Sequence, residues 1–366
     1  MSRLCLFGAG NTGIIFLKSK SWEKLQKEYT DMVFYDNNQD LPQCIDGVER
    51  VKEIADEDDV LITSNSFLEI YRECVISKRN VIGIFDSEED RVFDYKTMCK
   101  KKRTGYENEA IIVYNEEERL IQKKHLQCYL DTKDLYHNIS EVAIMLSNLC
   151  NYAILHSQCP AHYVKQKEIM SGDKVYQIMD ELAEDGYEGS ICFHIYNEPT
   201  IDPRLFMFIH YAKKKMPKCK VRVYSNGYYL NQMMFEEFHN IGADVFNTTG
   251  YGTEEYERLI DLDINYPLNV VWGHLDERLD WYNEENVEQK LLDSRCYTLL
   301  DQVCIYSNGE IGTCCLDYKT PYKLGNTYEA SLKEILNSEK LIAFQDELIE
   351  GNRCRFSLCS NCHWNR

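Results

Sequence analysis

The sequence predicts an α/β protein made of two successive parallel α/β units and a cysteine-rich tail. Three observations carry this expectation. Short apolar runs alternate with helix-length amphipathic segments, several strands run out into glycine-rich or polar loops, and after about residue 290 the pattern changes to a hairpin followed by closely spaced cysteines. At 366 residues the chain is long enough for two or three domains with a substantial core.

In the first unit, residues 1–103, runs at 3–7, 32–35, 59–63 and 80–85 are rich in Val, Ile, Leu and Phe and read as parallel strands. The stretch "LCLFGAGNTG" places Gly8, Gly10 and Gly13 in a G-x-G-x-x-G loop between a strand and a helix start. Backbone amides there favour a phosphate. Asp36, at the end of the second strand, stands where an acid would hold a ribose hydroxyl. A tight packing turn would use the same glycines. The segment resembles the Rossmann-like domains at the start of some sugar-modifying enzymes, which implies a nucleotide, NAD or a nucleotide-sugar as ligand.

Residues 104–140 read as a helical connector. From 141 to 290 the alternation resumes with "EVAIMLS", "GSICFHIYNEP", "CKVRVYSNG", "ADVFNTTGYG" and "PLNVVWGHL", separated by amphipathic helices around 173–184, 203–216, 229–240 and 254–261. Strands that end in polar loops predict a barrel or partial barrel whose site lies at the strand C-termini. Residues 291–366 open with "QVCIYSNGEIGTCCLD", where Asn308-Gly309 signals a type I′ hairpin turn. A helix over about 329–349 and the cysteine-rich tail follow.

The net charge of -19 argues against a general nucleic-acid binder or a ligand for anionic membranes. The basic cluster Lys100 to Arg103 reads as a solvated boundary segment. No apolar run is long enough to span a bilayer, and "MSRLCLFGAGNTG" lacks a signal peptide's layout, so a cytoplasmic location is expected. In a reducing compartment, cysteines at regular spacing bind metal or do chemistry. Cys5, Cys74 and Cys192 lie in apolar stretches and read as inert core thiols. Cys296, Cys314, Cys359 and Cys362 follow C-x17-C-x44-C-x2-C and read as a tetrahedral sulfur site for zinc or an iron-sulfur cluster.

The run "RCYTLLDQVCIYSNGEIGTCCLDYKTPYKLGNTYEASLKEIL" followed by "CSNC" resembles the SPASM or shorter twitch extension of radical S-adenosylmethionine (SAM) enzymes. The resemblance implies that these four cysteines hold an auxiliary 4Fe-4S cluster, with Cys304, Cys315 and Cys354 spare and Cys315 an alternative to Cys314. It also implies a partial (β/α)6 barrel over residues 141–290. Three strand ends match: Asn197, Glu198 and Pro199 of "IYNEP", Ser225, Asn226 and Gly227 of "VYSNG", and Thr248, Thr249 and Gly250 of "NTTGYG". Each stands where the family contacts SAM, and Glu198 would accept from the SAM ammonium group. Tyr152, Tyr196, Tyr251 and His194 are candidates for the cavity wall.

The sequence departs from the family at the cluster loop. The usual spacing, counted from Cys150, puts Ile154 and Ser157 at the second and third ligand positions. Two readings fit "LSNLCNYAILHSQCPAH". In one, Cys150, His156 and Cys159 bind a 4Fe-4S cluster as C-x5-H-x2-C, with a further thiol from Cys128 or Cys192 as a variant. Histidine ligation raises the reduction potential in Rieske centres. In the other, that cluster is lost and SAM serves a non-radical or non-catalytic role. The resemblance implies a radical SAM oxidoreductase or epimerase acting on a carbohydrate or nucleotide-linked sugar, supplied with electrons by flavodoxin or ferredoxin. A peptide-modifying maturase is the alternative within the same family.

Overall fold

The computed structural model describes residues 3–38, 40–102, 104, 106–107, 109–156, 159–262, 267–273, 295–317 and 322–362. The chain divides into two compact units, 1–116 and 117–366.

The first unit contains strands β1 (Leu4–Phe7), β2 (Met32–Tyr35), β3 (Cys44–Ile45), β4 (Val48–Arg50), β5 (Asp59–Ile62), β6 (Asn80–Asp86) and β7 (Arg91–Phe93). They form one sheet in the order β3-β4-β2-β1-β5-β6-β7. Strands β4, β2, β1, β5 and β6 are parallel, and β3 and β7 add antiparallel edges. The order reverses between β1 and β5, so the loop after β1 opens at a topological switch point. Both faces of this sheet are covered, which is why β1 is apolar throughout. Cys5 and Phe7 pack with Val60 and Ile62 on one face, and Leu4 and Leu6 with Phe34 and Leu61 on the other. The helices are α1 (Asn11–Phe16), α2 (Lys20–Leu25), α3 (Phe67–Ile76) and α4 (Tyr95–Lys102). The Ser19 hydroxyl caps α2 by accepting from the Trp22 amide at 3.0 Å. A two-residue strand, β8 (Tyr106–Glu107), precedes α5 (Glu109–Thr132), and the division between the units falls inside α5. In the basic cluster, Lys101 pairs with the buried Asp86 at 3.0 Å. Arg103 lies outside the described residues.

The second unit holds β9 (Glu141–Ile144), β10 (Ser190–Cys192), β11 (Lys220–Ser225), β12 (Val245–Tyr251) and β13 (Leu268–Gly273), paired in parallel in sequence order. Between them lie α6 (Gly172–Glu184), α7 (Leu205–Lys215), α8 (Gln232–Asn240) and α9 (Thr253–Ile260), close to the ranges the periodicity predicts. Helix α6 shows why: Val175, Ile178, Met179 and Leu182 form one buried stripe. Burying each side chain contributes about 1.5–3 kcal/mol. Ser171 caps the start of α6.

Two expectations about the tail are corrected. The first strand of its hairpin, β14 (Gln302–Ile305), is the sixth parallel strand of the sheet and pairs beside β9, the first strand. Its antiparallel partner β15 (Ile311–Gly312) follows through a three-residue loop instead of a type I′ turn. The Gly309 amide bonds the Tyr306 carbonyl at 2.8 Å, Tyr306 N bonds the Glu310 carbonyl at 2.9 Å, and Gly309 alone has positive φ, at 84°. That is a type I turn closed by a left-handed glycine. The helix expected over about 329–349 is two helices, α11 (Leu332–Leu336) and α12 (Glu339–Glu350), because Ser331 and Ser338 each cap a new start. A short α10 (Thr298–Asp301) leads into β14. No helix among the described residues is long and apolar enough to cross a membrane.

Candidate active site and metal centres

The loop after β9 is closed at its neck. Ser147 bridges to Ile169, and the Asn148 side chain donates to the Gln166 carbonyl at 2.9 Å and accepts from Glu168 N at 3.0 Å. Beyond the neck the backbone coils through successive turns, with His156 N to Tyr152 O at 2.8 Å and Cys159 N to His156 O at 3.0 Å. The coil turns His156 and Cys159 inward, where both are buried, and the His156 ring lies 5.3 Å from that of Tyr251. Ile154, at the family's second ligand position, is 86% exposed, and Ser157 lies outside the described residues.

Cys150, His156 and Cys159 line one cavity of about 260 Å³ together with Asn197, Glu198, Ser225, Asn226, Thr248 and Thr249. The strand ends and the cysteine loop thus converge. Asn226 makes the junction: its side chain donates to Asn151 Oδ1 at 2.7 Å and approaches Cys150 Sγ at 3.9 Å. Its backbone amide donates to Glu198 Oε2 at 2.7 Å. Glu198 Oε1 accepts from the Ser225 hydroxyl at 2.8 Å and from the Thr200 amide and hydroxyl at 3.1 and 2.5 Å. Burial raises the Glu198 pKa, and these hydrogen bonds oppose the shift. A carboxylate offers about four lone-pair sites. Glu198 therefore ties two strand ends together and keeps little more than one acceptor position, on Oε2, for a bound cation.

Asn197 spends its amide within its own loop, accepting from Ile195 N and donating to the Phe193 carbonyl, both at 3.1 Å. Pro199 opens a 3-10 turn at Pro199–Ile201. Gly227 has φ +73°, and a Cβ there would stand 2.7 Å from Leu259 Cδ1, so it shapes the turn after β11. Tyr152, His194, Tyr196 and Tyr251 line the cavity as expected, and so do Tyr224, Asn247 and Asn269, which sequence reasoning missed. The available signal was polar residues at alternate positions 247, 249 and 251 of β12. Cys128 and Cys192 are not among the lining residues. The Cys192 thiol faces Glu141, and burial raises its pKa.

A larger cavity of about 730 Å³ lies at the opposite, N-terminal ends of the strands, lined by Glu141, Ser190, Lys220 and Arg222 among others. Arg222 there forms ion pairs with Glu118 and Glu141. Barrel chemistry is built at the C-terminal ends, and the sulfur and imidazole donors gather there, so the smaller cavity is the candidate site.

In the tail, Cys296, Cys314, Cys359 and Cys362 line a second, mostly apolar cavity with Cys315. Cys304 is buried in the barrel core and Cys354 is exposed, so neither joins them. Burial pushes the Cys359 thiol up to about 12 and raises Cys314 as well, so a bound cation must displace their protons. Among the described residues no three His, Cys, Asp or Glu side chains converge tightly enough to grip a single metal ion.

In the first unit Gly8 has φ +106°, and a Cβ on Gly13 would stand 2.4 Å from the Gly8 carbonyl oxygen. Gly10 faces open space. Asp36 accepts from Ala9 N at 2.7 Å and Asn38 N at 2.8 Å, so its carboxylate holds the glycine loop itself.

Residues 296–363 match the family described as SPASM, an iron-sulfur cluster-binding domain. The chain is 22% identical to the S-adenosyl-L-methionine-dependent 2-deoxy-scyllo-inosamine dehydrogenase of Niallia circulans, over 61% of this chain and 92% of that protein. It is also similar to the crystal structure of BtrN in an open conformation (TM-score 0.50, 22% identity, 62% of this chain and 92% of that chain). BtrN in complex with AdoMet and 2-DOIA matches likewise (TM-score 0.50, 21% identity, 62% and 93%). Residues 296–363 are thus similar to SPASM iron-sulfur domains, and the partial barrel that β14 joins shares the fold of BtrN.

Proposed function

We propose that the protein is a radical SAM oxidoreductase that removes hydrogen from a carbinol of a carbohydrate or cyclitol. One observation carries this reading: Cys150, His156 and Cys159 share a cavity with Glu198, Ser225, Asn226, Thr248 and Thr249, the strand-end residues expected to meet SAM. The 2-deoxy-scyllo-inosamine dehydrogenase among its relatives supports the substrate class.

Cys150, His156 and Cys159 would hold a 4Fe-4S cluster, which when bound would supply the one-electron chemistry that SAM cleavage and hydrogen abstraction need. The chain's own residues do the rest. Glu198 fixes the ends of β10 and β11 and offers Oε2 to the SAM ammonium group. Asn226 orients the Cys150 loop, and Tyr152, Tyr251 and His194 wall the cavity. Cys296, Cys314, Cys359 and Cys362 hold the auxiliary cluster, and flavodoxin or ferredoxin serves as electron donor. In the same reading the glycine loop of the first unit holds a nucleotide, NAD or the nucleotide part of a nucleotide-sugar. The protein works in the cytoplasm.

The test is iron and sulfide content after anaerobic reconstitution, with low-temperature electron paramagnetic resonance of the reduced protein with and without SAM. The expected result is about eight irons per chain, two clusters of four, and a signal that SAM perturbs. About four irons and no response to SAM would overturn the radical reading.

A further inference from the structure

Tyr196 belongs to both cysteine-lined regions. Its side chain lines the barrel-mouth cavity beside His194, Asn197 and Glu198. Its hydroxyl donates to the carbonyl of Cys315 at 2.5 Å, and Cys315 lines the SPASM cavity next to Cys314 in sequence. The Tyr196 ring stacks on Tyr306 with centroids 6.1 Å apart and 18° between planes, and the Tyr306 hydroxyl donates to the Asp317 carbonyl. The Asp317 carboxylate accepts from the amide and hydroxyl of Thr313 at 3.1 and 3.0 Å, and Asp317 N bonds the Cys314 carbonyl at 3.0 Å. Two tyrosines thus hold the turn that presents Cys314.

One hydrogen bond and one residue of backbone separate the Tyr196 ring from the Cys314 side chain. Electron tunnelling decays more slowly along covalent and hydrogen bonds than across a gap, so this is a favoured route between the cavities. We propose that Tyr196 is a positioning residue that couples substrate oxidation at the barrel mouth to the SPASM cluster, by holding the Cys314 turn so that a hydrogen-bonded path joins the two cavities. This rests on the function proposed above.

The electron count requires an acceptor for one electron. Oxidising a carbinol to a carbonyl removes two electrons and two protons. The C–H bond gives one hydrogen atom to the 5′-deoxyadenosyl radical, forming 5′-deoxyadenosine. The O–H proton goes to solvent, the second electron reduces the SPASM cluster by one, and the C=O π bond forms.

The test compares wild type with Tyr196→Phe, which keeps the ring and removes the hydrogen bond. In turnover with 2-deoxy-scyllo-inosamine as probe, Tyr196→Phe should give several-fold less carbonyl product per 5′-deoxyadenosine than wild type, whatever its rate of 5′-deoxyadenosine formation. In a Cys150→Ala/Cys159→Ala background, which leaves the SPASM cluster as the one redox centre, adding Tyr196→Phe should shift the midpoint potential of that cluster, because the turn that presents Cys314 loses the hydrogen bond to the Cys315 carbonyl that holds it. An unchanged product ratio or an unchanged potential would overturn the proposal. A wild type inert toward the probe counts against the substrate class alone, and the potential then decides on Tyr196.

Discussion

The two cysteine-lined cavities collect their donors in different ways. At the barrel mouth, Cys150, His156 and Cys159 come from one coiled loop closed at its neck by Asn148. In the tail, Cys296 and Cys314 flank β14 and β15 while Cys359 and Cys362 arrive after α12. The first site is local and can vary its ligands by redrawing one loop, which is where this chain places an imidazole. The second depends on a whole domain folding, so a change to one ligand reaches further.

Predictions that sharpen this contrast run from large to small. Cys359→Ala with Cys362→Ala should remove the tail cluster, leaving about half the iron, and lower solubility; iron analysis and sedimentation check both. Cys150→Ala should also remove about half the iron but leave the thermal midpoint little changed, and the signal perturbed by SAM should disappear from the paramagnetic resonance spectrum. Glu198→Gln replaces a buried acceptor of four hydrogen bonds by an amide that matches only some of them. A cost of about 1–3 kcal/mol in stability and weaker SAM binding are expected, and calorimetry that finds both unchanged would remove the role assigned to Glu198. His156→Cys should lower the potential of the barrel-mouth cluster and speed reductive cleavage of SAM, since imidazole ligation raises potentials; a redox titration gives the sign. A Cβ added at Gly10 meets nothing within 4 Å, so Gly10→Val should keep stability within about 0.5 kcal/mol while any nucleotide binding to the glycine loop is lost, as fluorescence with a labelled nucleoside diphosphate would report.

Much of this was legible because the signals are local. Strands such as Leu4–Phe7 and the stripe on α6 announce themselves by period, and the sulfur spacing in the tail matches a family pattern. What escaped was long-range. Nothing near Gln302 in sequence says that β14 pairs with β9, because pairing partners are chosen by the completed sheet. Nor does "IYNEP" reveal that the Glu198 oxygens are already taken by Thr200, Ser225 and Asn226, since two of those partners come from another strand end. Even the turn type failed on a local competitor: Asn308 keeps negative φ because Gly309 alone supplies the left-handed residue a three-residue loop needs.

The pairing of β14 with β9 also sets a timetable. During synthesis β9 leaves the ribosome about 160 residues before its neighbour exists. At about 5–20 residues per second that interval is on the order of ten seconds. Throughout it the strand leading to the Cys150 loop has one unpaired, apolar edge, the kind of surface that recruits other chains. Iron delivered in that interval would meet a loop whose supporting sheet is unfinished, so loading of the barrel-mouth site should follow release of the SPASM segment, and production at slow elongation should favour aggregates over metal-filled protein.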